Sequence, residues 1–400
     1  MHRFEPPETH QPVIIAARRT PIARAGGALR AVELEDLAAP VLQAVLADSG
    51  ISASEVDDVI LGNATGGGGN IARLSALRAG LGVDLAGVTV DRQCGSGLEA
   101  IMMACNLIAA GAVDVILAGG VESTSRAPIR MRRSTQDGEP PEPYARARFS
   151  TDEIGDPDMG IAAENVAQRF GIARARADGF ALQSHRRACL AQDKGSFDTE
   201  IVPIETETAQ HLSKDDGPRQ DTSLEKLTQL RPVFKDDGIV TAGNACPLND
   251  GASVVLVTSL AKARALNVSA ALTYAGGASA GVDPNILGIG PVASTQKLLR
   301  KHPELTPDNA QFIEFNEAFA AQVLASLDAL KIDETRVNLN GGALALGHPF
   351  GASGAVLVTR LFHQFRALPE ANAKSDLGLA MMGIGGGMGL TAAFRYKRLT

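Results

Sequence analysis

Short apolar runs alternate with longer stretches of helical spacing along the N-terminal part of the chain. Val13-Ile14-Ile15-Ala16-Ala17 is continuous enough to be a strand buried on both faces, and Val59-Ile60-Leu61 and Val88-Thr89-Val90 repeat the pattern. Between them, Leu34 to Leu46 carries apolar residues at helical spacing. Leu98 to Ala110 predicts an apolar helix, followed by a strand over Val113 to Ala118. Strands and helices that alternate in this way predict an α/β fold, with helices covering a largely buried sheet.

From about Glu122 to Asn249 the texture changes to polar residues rich in Pro, Asp and Arg. One helix pair stands out, Gly160 to Phe170 and Ala173 to Gln192, and an irregular run follows over Thr206 to Asp221. The sheet pattern resumes at Ala252-Ser253-Val254-Val255-Leu256-Val257. The stretch reads as an insertion between two halves of one core. The expected division is 1–122 with 249–270 as a first half, 123–248 as an inserted loop domain, and 271–400 as a second half.

The C-terminal part echoes the N-terminal part. Val88-Thr89-Val90-Asp91 leads into Cys94-Gly95-Ser96-Gly97 and a helix. Val337-Asn338-Leu339-Asn340 leads to His348, then Gly351-Ala352-Ser353-Gly354 and a helix. Each helix is followed by an apolar strand that ends in glycines, Leu117 to Gly120 and Met381 to Gly387. A tandem duplication is the simplest account. It places the turns at Cys94 and His348 in related positions, facing one interface.

Composition narrows the function classes. At 400 residues the chain exceeds one comfortable core, so two or three domains are expected. The net charge of −7 and the lack of a long basic run argue against nucleic acid as a partner. The most basic stretch, Arg126 to Arg148, reads as a solvated loop or as a docking surface for something anionic. Four cysteines without a C-x-x-C pair fit a reducing compartment, so the cytoplasm is expected. No export or transit signal and no peroxisomal address is visible, and no apolar run is long enough to span a bilayer.

Four motifs carry candidate chemistry. In Arg92-Gln93-Cys94-Gly95-Ser96-Gly97 a strand ends, a sharp turn holds Cys94, and small residues open a helix. A thiol there would feel the positive end of the helix dipole, which favours the nucleophilic thiolate. The plainer alternative is a small core residue beside a glycine turn. His348, alone among glycines and followed by Pro349, could activate a thiol as general base. Asn316, after the strand Phe312 to Glu314, is either a helix cap or a holder of water at an oxyanion. Gly383-Ile384-Gly385-Gly386-Gly387 could point backbone N–H groups at a ligand; without a following Lys-Ser/Thr it is no P-loop, and an oxyanion hole is the alternative to a phosphate cradle.

Together and in this order, RQCGSGLEA, FNEAFA, NGGALALGHPFGASGA and GIGGGMG resemble the motifs of the thiolase family. RTPIAR, AGGVES, MGIAAENVA and the run from LRPVF through TAGNACPLNDGA extend the resemblance over nearly the whole chain. It implies a duplicated five-layered α/β/α/β/α core with an inserted loop domain, a homodimer or homotetramer, and no prosthetic group. Acyl-CoA and CoA would be the substrates, and neither nucleic acid nor membrane a partner. Cys94 would be the nucleophile that carries the acyl group. His348 would activate it and, with a water held by Asn316, bind the thioester oxygen. N–H groups of Cys94 and Gly385 would form a second oxyanion hole. The loop domain would bind CoA, with Arg219 near the nucleotide phosphate and Met159, Ala242, Cys246, Ala318 and Phe319 near the pantetheine.

The chain departs from the family pattern at three places. Gly383 stands where thiolases carry a second cysteine, the acid and base for the incoming acetyl-CoA. Loss of such a group typically costs roughly 10²–10⁴-fold. Cys246 stands where a CoA-contacting Ser is common, and it is expected against pantetheine rather than at the reacting carbon. Asp158 stands where a His often precedes Met159-Gly160, adding negative charge near an anionic ligand. The implied activity is formation or cleavage of 3-ketoacyl-CoA through acyl-Cys94. The alternatives are a decarboxylative ketosynthase-like enzyme, an acyl-CoA thioesterase and a non-catalytic acyl-CoA binder.

Overall fold

The computed structural model describes residues 6–208 and 211–399. Nine strands of one sheet frame the fold: β1 (Pro12–Arg19), β2 (Asp58–Gly62), β3 (Val88–Val90), β4 (Val115–Ser123), β5 (Asn249–Ser259), β6 (Ala270–Gly281), β7 (Phe312–Phe315), β8 (Leu377–Ile384) and β9 (Met388–Arg398). Their spatial order is β7-β8-β9-β6-β1-β5-β4-β2-β3, and a two-residue strand, Ala23–Arg24, also pairs with β5. The predicted strands lie inside observed ones, except that Val113 to Ala118 starts two residues early: β4 begins at Val115. The observed strands run further where polar residues such as Glu122 and Asn249 continue the ladder.

The pairing repeats. In the first half β2 lies parallel to β4, β4 antiparallel to β5, and β5 antiparallel to β1. In the second half β7 lies parallel to β8, β8 antiparallel to β9, and β9 antiparallel to β6. The halves join where β1 meets β6 through Val13–Thr273 and Ile14–Leu272. The duplication read from the turns is thus present in the topology. One repeat member is reduced: β3 has as its counterpart a single parallel bridge between Ile313 and Val337 instead of a strand.

Alternation of side chains sorts the core into layers. On β1, Val13 and Ile15 enter one apolar cluster, whereas Ile14 and Ala17 enter another. On β5, Val254 and Leu256 join the first and Val255 and Val257 the second. The first cluster is roofed by α1 (Leu34–Ser49) and α2 (Ile71–Arg78). The second is the centre of the molecule, filled by α3 (Ser96–Ala109) and by Ala355, Val358, Leu361 and Phe362 of a second, long helix, Phe350–Ala367. On β8, Ala380 and Met382 face this centre, while Leu379 and Met381 face a third cluster on the far side. Helix, sheet, helix, sheet, helix is the resulting five-layered order.

The remaining helices have distinct positions. Between Ser123 and Asn249 the chain leaves the sheet. There α4 (Met159–Phe170) and α5 (Arg174–Asp193) lay Val166, Ala177 and Phe180 against the third cluster. Also in that cluster are α6 (Gly290–Lys301) and α7 (Ala320–Leu330), and the single-turn α8 (Ala343–Leu346) precedes α9 (Phe350–Ala367). The segment is tied back to β1 by Arg19, fully buried, which pairs with Asp215 at 2.7 Å and Glu200 at 2.7 Å. Among the described residues, no helix is long and apolar enough to cross a membrane.

At the centre, α3 and α9 meet at their N-termini with almost no space. A side-chain carbon on Gly97 would come within 2.7 Å of the Gly351 carbonyl oxygen, and one on Gly354 within 2.4 Å of the Leu98 nitrogen. Glycine is required there because the two backbones touch. The turns that precede these helices carry Cys94 and His348.

Candidate active site

The Cys94 turn is held by its own short polar side chains. Asp91 accepts the Gln93 N–H at 2.7 Å, and Ser96 Oγ donates to the Gln93 carbonyl at 2.6 Å while accepting the Arg92 N–H at 2.9 Å. These bonds keep Gln93 at φ 49°, a left-handed conformation that a side-chain-bearing residue adopts only when its surroundings enforce it. The sharp bend lifts Cys94 off the end of the helix. Its sulfur accepts hydrogen bonds from the backbone N–H of Gly385 and of Cys94 itself. Burial nevertheless dominates and pushes the thiol up to about 11. This corrects the expectation that the helix dipole would leave a thiolate: the unliganded thiol is protonated.

His348 is 1 % exposed. Its backbone N–H donates to Asn249 Oδ1 at 2.9 Å, and Leu248 bridges it in parallel. Its Nδ1 lies 2.6 Å from Ser353 Oγ on the first turn of α9, and its Nε2 lies 3.4 Å from Asn316 Nδ2. Burial pushes the imidazole down to about 3, so it is neutral at physiological pH. A neutral ring is what a general base needs, and a protonated thiol is what it would act on.

Asn316 does not cap a helix, because α7 begins only at Ala320 with Phe319 before it. Instead its N–H continues the β7–β8 ladder by donating to Met381 O at 2.9 Å, which leaves the carboxamide free to face His348. The following Glu317 is buried and holds the turn in place. It accepts Ser184 Oγ at 2.7 Å, Asn338 Nδ2 at 2.6 Å and the Leu344 N–H at 3.1 Å. Glu122 does the same for the opposite wall, accepting Thr65 Oγ1 at 2.7 Å and the Gly351 N–H at 2.9 Å.

The loop 241–246 completes the enclosure. Ala320 N–H donates to Asn244 O at 2.9 Å, and Cys246 N–H donates to Ala318 O at 2.9 Å. Ala245 bridges Phe319. The Cys246 thiol is pushed up by burial and also by the negative charge that Cys94 would carry. Cys246 thus lies within the electrostatic reach of Cys94. The wall over Gly385 is made by Phe149 and Met159, whose ring and sulfur lie 2.9 Å and 3.7 Å from where a side-chain carbon on Gly385 would be.

Arg219 and Ala242 sit on the exposed rim. The Arg219 N–H donates to His185 Nδ1 at 3.2 Å. The neighbouring Gly217 packs against the carbonyl oxygens of Ala345 and Leu346, three and two residues before His348. Asp158 is exposed and ion-paired with Arg146 at 3.3 Å, so its charge is partly matched within the loop. The structure therefore brings Cys94, Gly385, Cys246, Ala318, Phe319 and Met159 to one wall system and His348 and Asn316 to another, joined at the α3–α9 crossing. Ser353, Asn249, Glu317, Glu122 and Phe149 were not singled out from sequence. Ser353 had a readable signal, since it stands five residues after His348 at the start of a helix.

Comparison with known proteins agrees with this geometry. Residues 12–261 match the thiolase N-terminal domain model and residues 268–396 the thiolase C-terminal domain model. The chain is 44% identical over 387 residues to the protein named "Putative acetyl-CoA C-acetyltransferase VraB" of Staphylococcus aureus (strain MRSA252), covering 96% of this chain and 99% of that protein. Its namesake in Staphylococcus epidermidis is 43% identical over 389 residues, covering 96% and 98%. Among solved structures, the Bacillus anthracis acetyl-CoA acetyltransferase superposes with a TM-score of 0.87 at 38% identity. Human mitochondrial 3-ketoacyl-CoA thiolase superposes with 0.88 at 35% identity, and each superposition covers 97% of this chain and 99% of the other. The chain belongs to the thiolase family of acyl-CoA acyltransferases.

Proposed function

We propose that the chain forms or cleaves 3-ketoacyl-CoA by acyl transfer through Cys94. The observation that carries this reading is the pairing of two neutral groups at one helix crossing: a half-buried thiol beneath the Gly385 N–H and a buried imidazole with Asn316 at its Nε2. Cys94 attacks the thioester carbonyl, CoA leaves, and the thiol proton passes to His348 or to the departing sulfur. The N–H groups of Cys94 and Gly385 bind the acyl oxygen of the enzyme intermediate, and His348 with a water on Asn316 binds the thioester oxygen. Residues 123–248 serve as the CoA-binding domain between the two halves, with Arg219 toward the phosphates. Ala242, Cys246, Met159, Ala318 and Phe319 lie along the pantetheine.

A homo-oligomer is part of this proposal. Strand β3 is one edge of the sheet, and exposed Val83, Val88, Leu74 and Leu77 lie on or beside it. An unpaired edge with apolar neighbours favours pairing with a second copy.

Gly383 favours a second reading of the acceptor step. Its nearest neighbours are the Gln322 carboxamide and the Gly288 carbonyl, and neither titrates. If this glycine replaces the cysteine that removes an α-proton, an acceptor whose carbanion arises by decarboxylation of a malonyl thioester needs no base there. The deciding experiment is intact-mass spectrometry after mixing with acetyl-CoA. An acetyl adduct that is absent from Cys94→Ala supports transfer through Cys94, and its absence from the wild type refutes it. Acetoacetyl-CoA cleavage by CoA against condensation with malonyl-CoA then separates the two acceptor steps.

A further inference from the structure

One face of the central helix α9 carries polar side chains. Ser353, Arg360 and Gln364 stand seven and four residues apart, spacings that put them on one side of the helix. Ser353 Oγ lies 2.6 Å from His348 Nδ1. Two turns on, Arg360 Nε donates to Glu314 Oε2 at 2.6 Å, and its Nη2 donates to the Gly341 carbonyl at 2.7 Å. Gln364 Nε2 donates to Glu314 Oε1 at 2.6 Å. Glu314 belongs to β7, whose chain runs on two residues to Asn316. Asn338 clasps Phe315 between them, meeting its N–H and its carbonyl at 2.8 Å each. Gly341 lies in the loop that leads through α8 to His348.

One helix face thus grips both sides of the 3.4 Å approach between Asn316 Nδ2 and His348 Nε2. The groups converge in space as well. Glu314, Asn316, Ser353 and Arg360 line one internal cavity of about 20 Å³, and every residue around it is buried.

Stability does not account for Arg360. Buried Arg19 has all three guanidinium nitrogens bonded, to Glu200, Asp215 and the Thr20 carbonyl. Arg360, 2 % exposed, leaves Nη1 without a partner among the described residues, and Gln364 leaves Oε1 without one. Burial pushes the Glu314 carboxyl up despite the guanidinium beside it. An ion pair so incompletely satisfied stabilises a core no better than apolar side chains of similar volume. What it supplies that they cannot is direction, because charge-assisted bonds fix the end of β7 against the helix.

We propose that Arg360 is a positioning residue that, through Glu314, holds the Asn316 carboxamide against His348 Nε2. This rests on the acylation of Cys94 proposed above, in which His348 takes the thiol proton. The helix that bonds the His348 ring at Ser353 also sets where Asn316 stands, so imidazole and amide keep their spacing as substrates enter and leave.

The test is a double-mutant cycle on the rate of Cys94 acetylation by acetyl-CoA, read by rapid-quench intact-mass spectrometry. Glu314→Met together with Arg360→Met leaves neither charge buried alone. This pair variant should acetylate at least about tenfold more slowly, the range expected when a reacting group is displaced. The loss should fall on the limiting rate and not on the acetyl-CoA concentration at half-maximum. In an Asn316→Ala background the same replacement should change the rate by less than about twofold. Arg360→Lys keeps the charge without the fork, and should fall between the wild type and the pair variant. It carries the same cycle if the pair variant fails to fold. An equal proportional loss with and without Asn316, or no loss with Asn316 present, would overturn the proposal while leaving acylation intact. No adduct in the wild type would overturn the acylation reading itself, and this one with it.

Discussion

His348 Nδ1 and Ser353 Oγ stand 2.6 Å apart, and a third atom fixes which of them donates. Ser353 Oγ also donates to the Pro349 carbonyl at 2.9 Å, which uses its single proton. The hydroxyl therefore accepts from His348, and Nδ1 carries the hydrogen of the neutral ring. Nε2 is left with a lone pair, toward which Asn316 Nδ2 points at 3.4 Å. The backbone at the start of α9 thus selects the tautomer that has a basic nitrogen facing the site.

Ser353→Ala should lower acylation of Cys94 by about tenfold, and His348→Asn by roughly 10²–10⁴-fold. Rapid-quench mass spectrometry of the acetyl adduct separates the two. Equal losses would show that Ser353 supports the fold and not the tautomer.

Alkylation of Cys94 by iodoacetamide should be slow at neutral pH and rise by about tenfold per pH unit, because only the thiolate reacts. The thiol lies at about 11, so the rate should still be climbing at pH 10. A plateau near pH 8 would contradict a thiol held neutral by burial.

Acid should destabilise the fold through His348. Its folded value of about 3 lies below the ordinary 6.5, so the unfolded chain binds the proton first as pH falls. The stability held by the neutral ring is complete above pH 6.5 and is lost as pH falls toward about 3. His348→Asn should therefore flatten the dependence of urea midpoint on pH between 6.5 and 4 by up to one proton.

Arg19→Ala should destabilise the chain by about 3–5 kcal/mol, since it leaves Asp215 and Glu200 buried without their partner. Urea unfolding at pH 7 measures the loss. A change below about 1 kcal/mol would show that the two carboxylates find water or another donor.

Much of this fold was legible because its strands are short continuous apolar runs and its repeat is marked by two glycine turns. Val13 to Ala17 read as a buried strand, and its side chains do enter two cores; the five-layered order itself was only implied by the family resemblance. Strand ends were not legible where the ladder continues through polar residues, as at Glu122, whose carboxylate is used to hold loops together. At the site, Cys94 and His348 announced themselves by isolation among glycines. The charge state of Cys94 did not, because burial of the sulfur outweighs the dipole and depends on packing that no local pattern encodes.

The crossing of α3 and α9 has a consequence for how substrates are accommodated. Because Gly97, Gly351 and Gly354 bring backbone against backbone, the floor of the site is mechanically rigid and cannot yield to a longer acyl chain. Any give must come from the ceiling, where Phe149 and Met159 cover Gly385 and Phe234 packs edge-on to Phe319. Substitutions that enlarge the site are therefore expected to be tolerated at the ceiling and not at these three glycines.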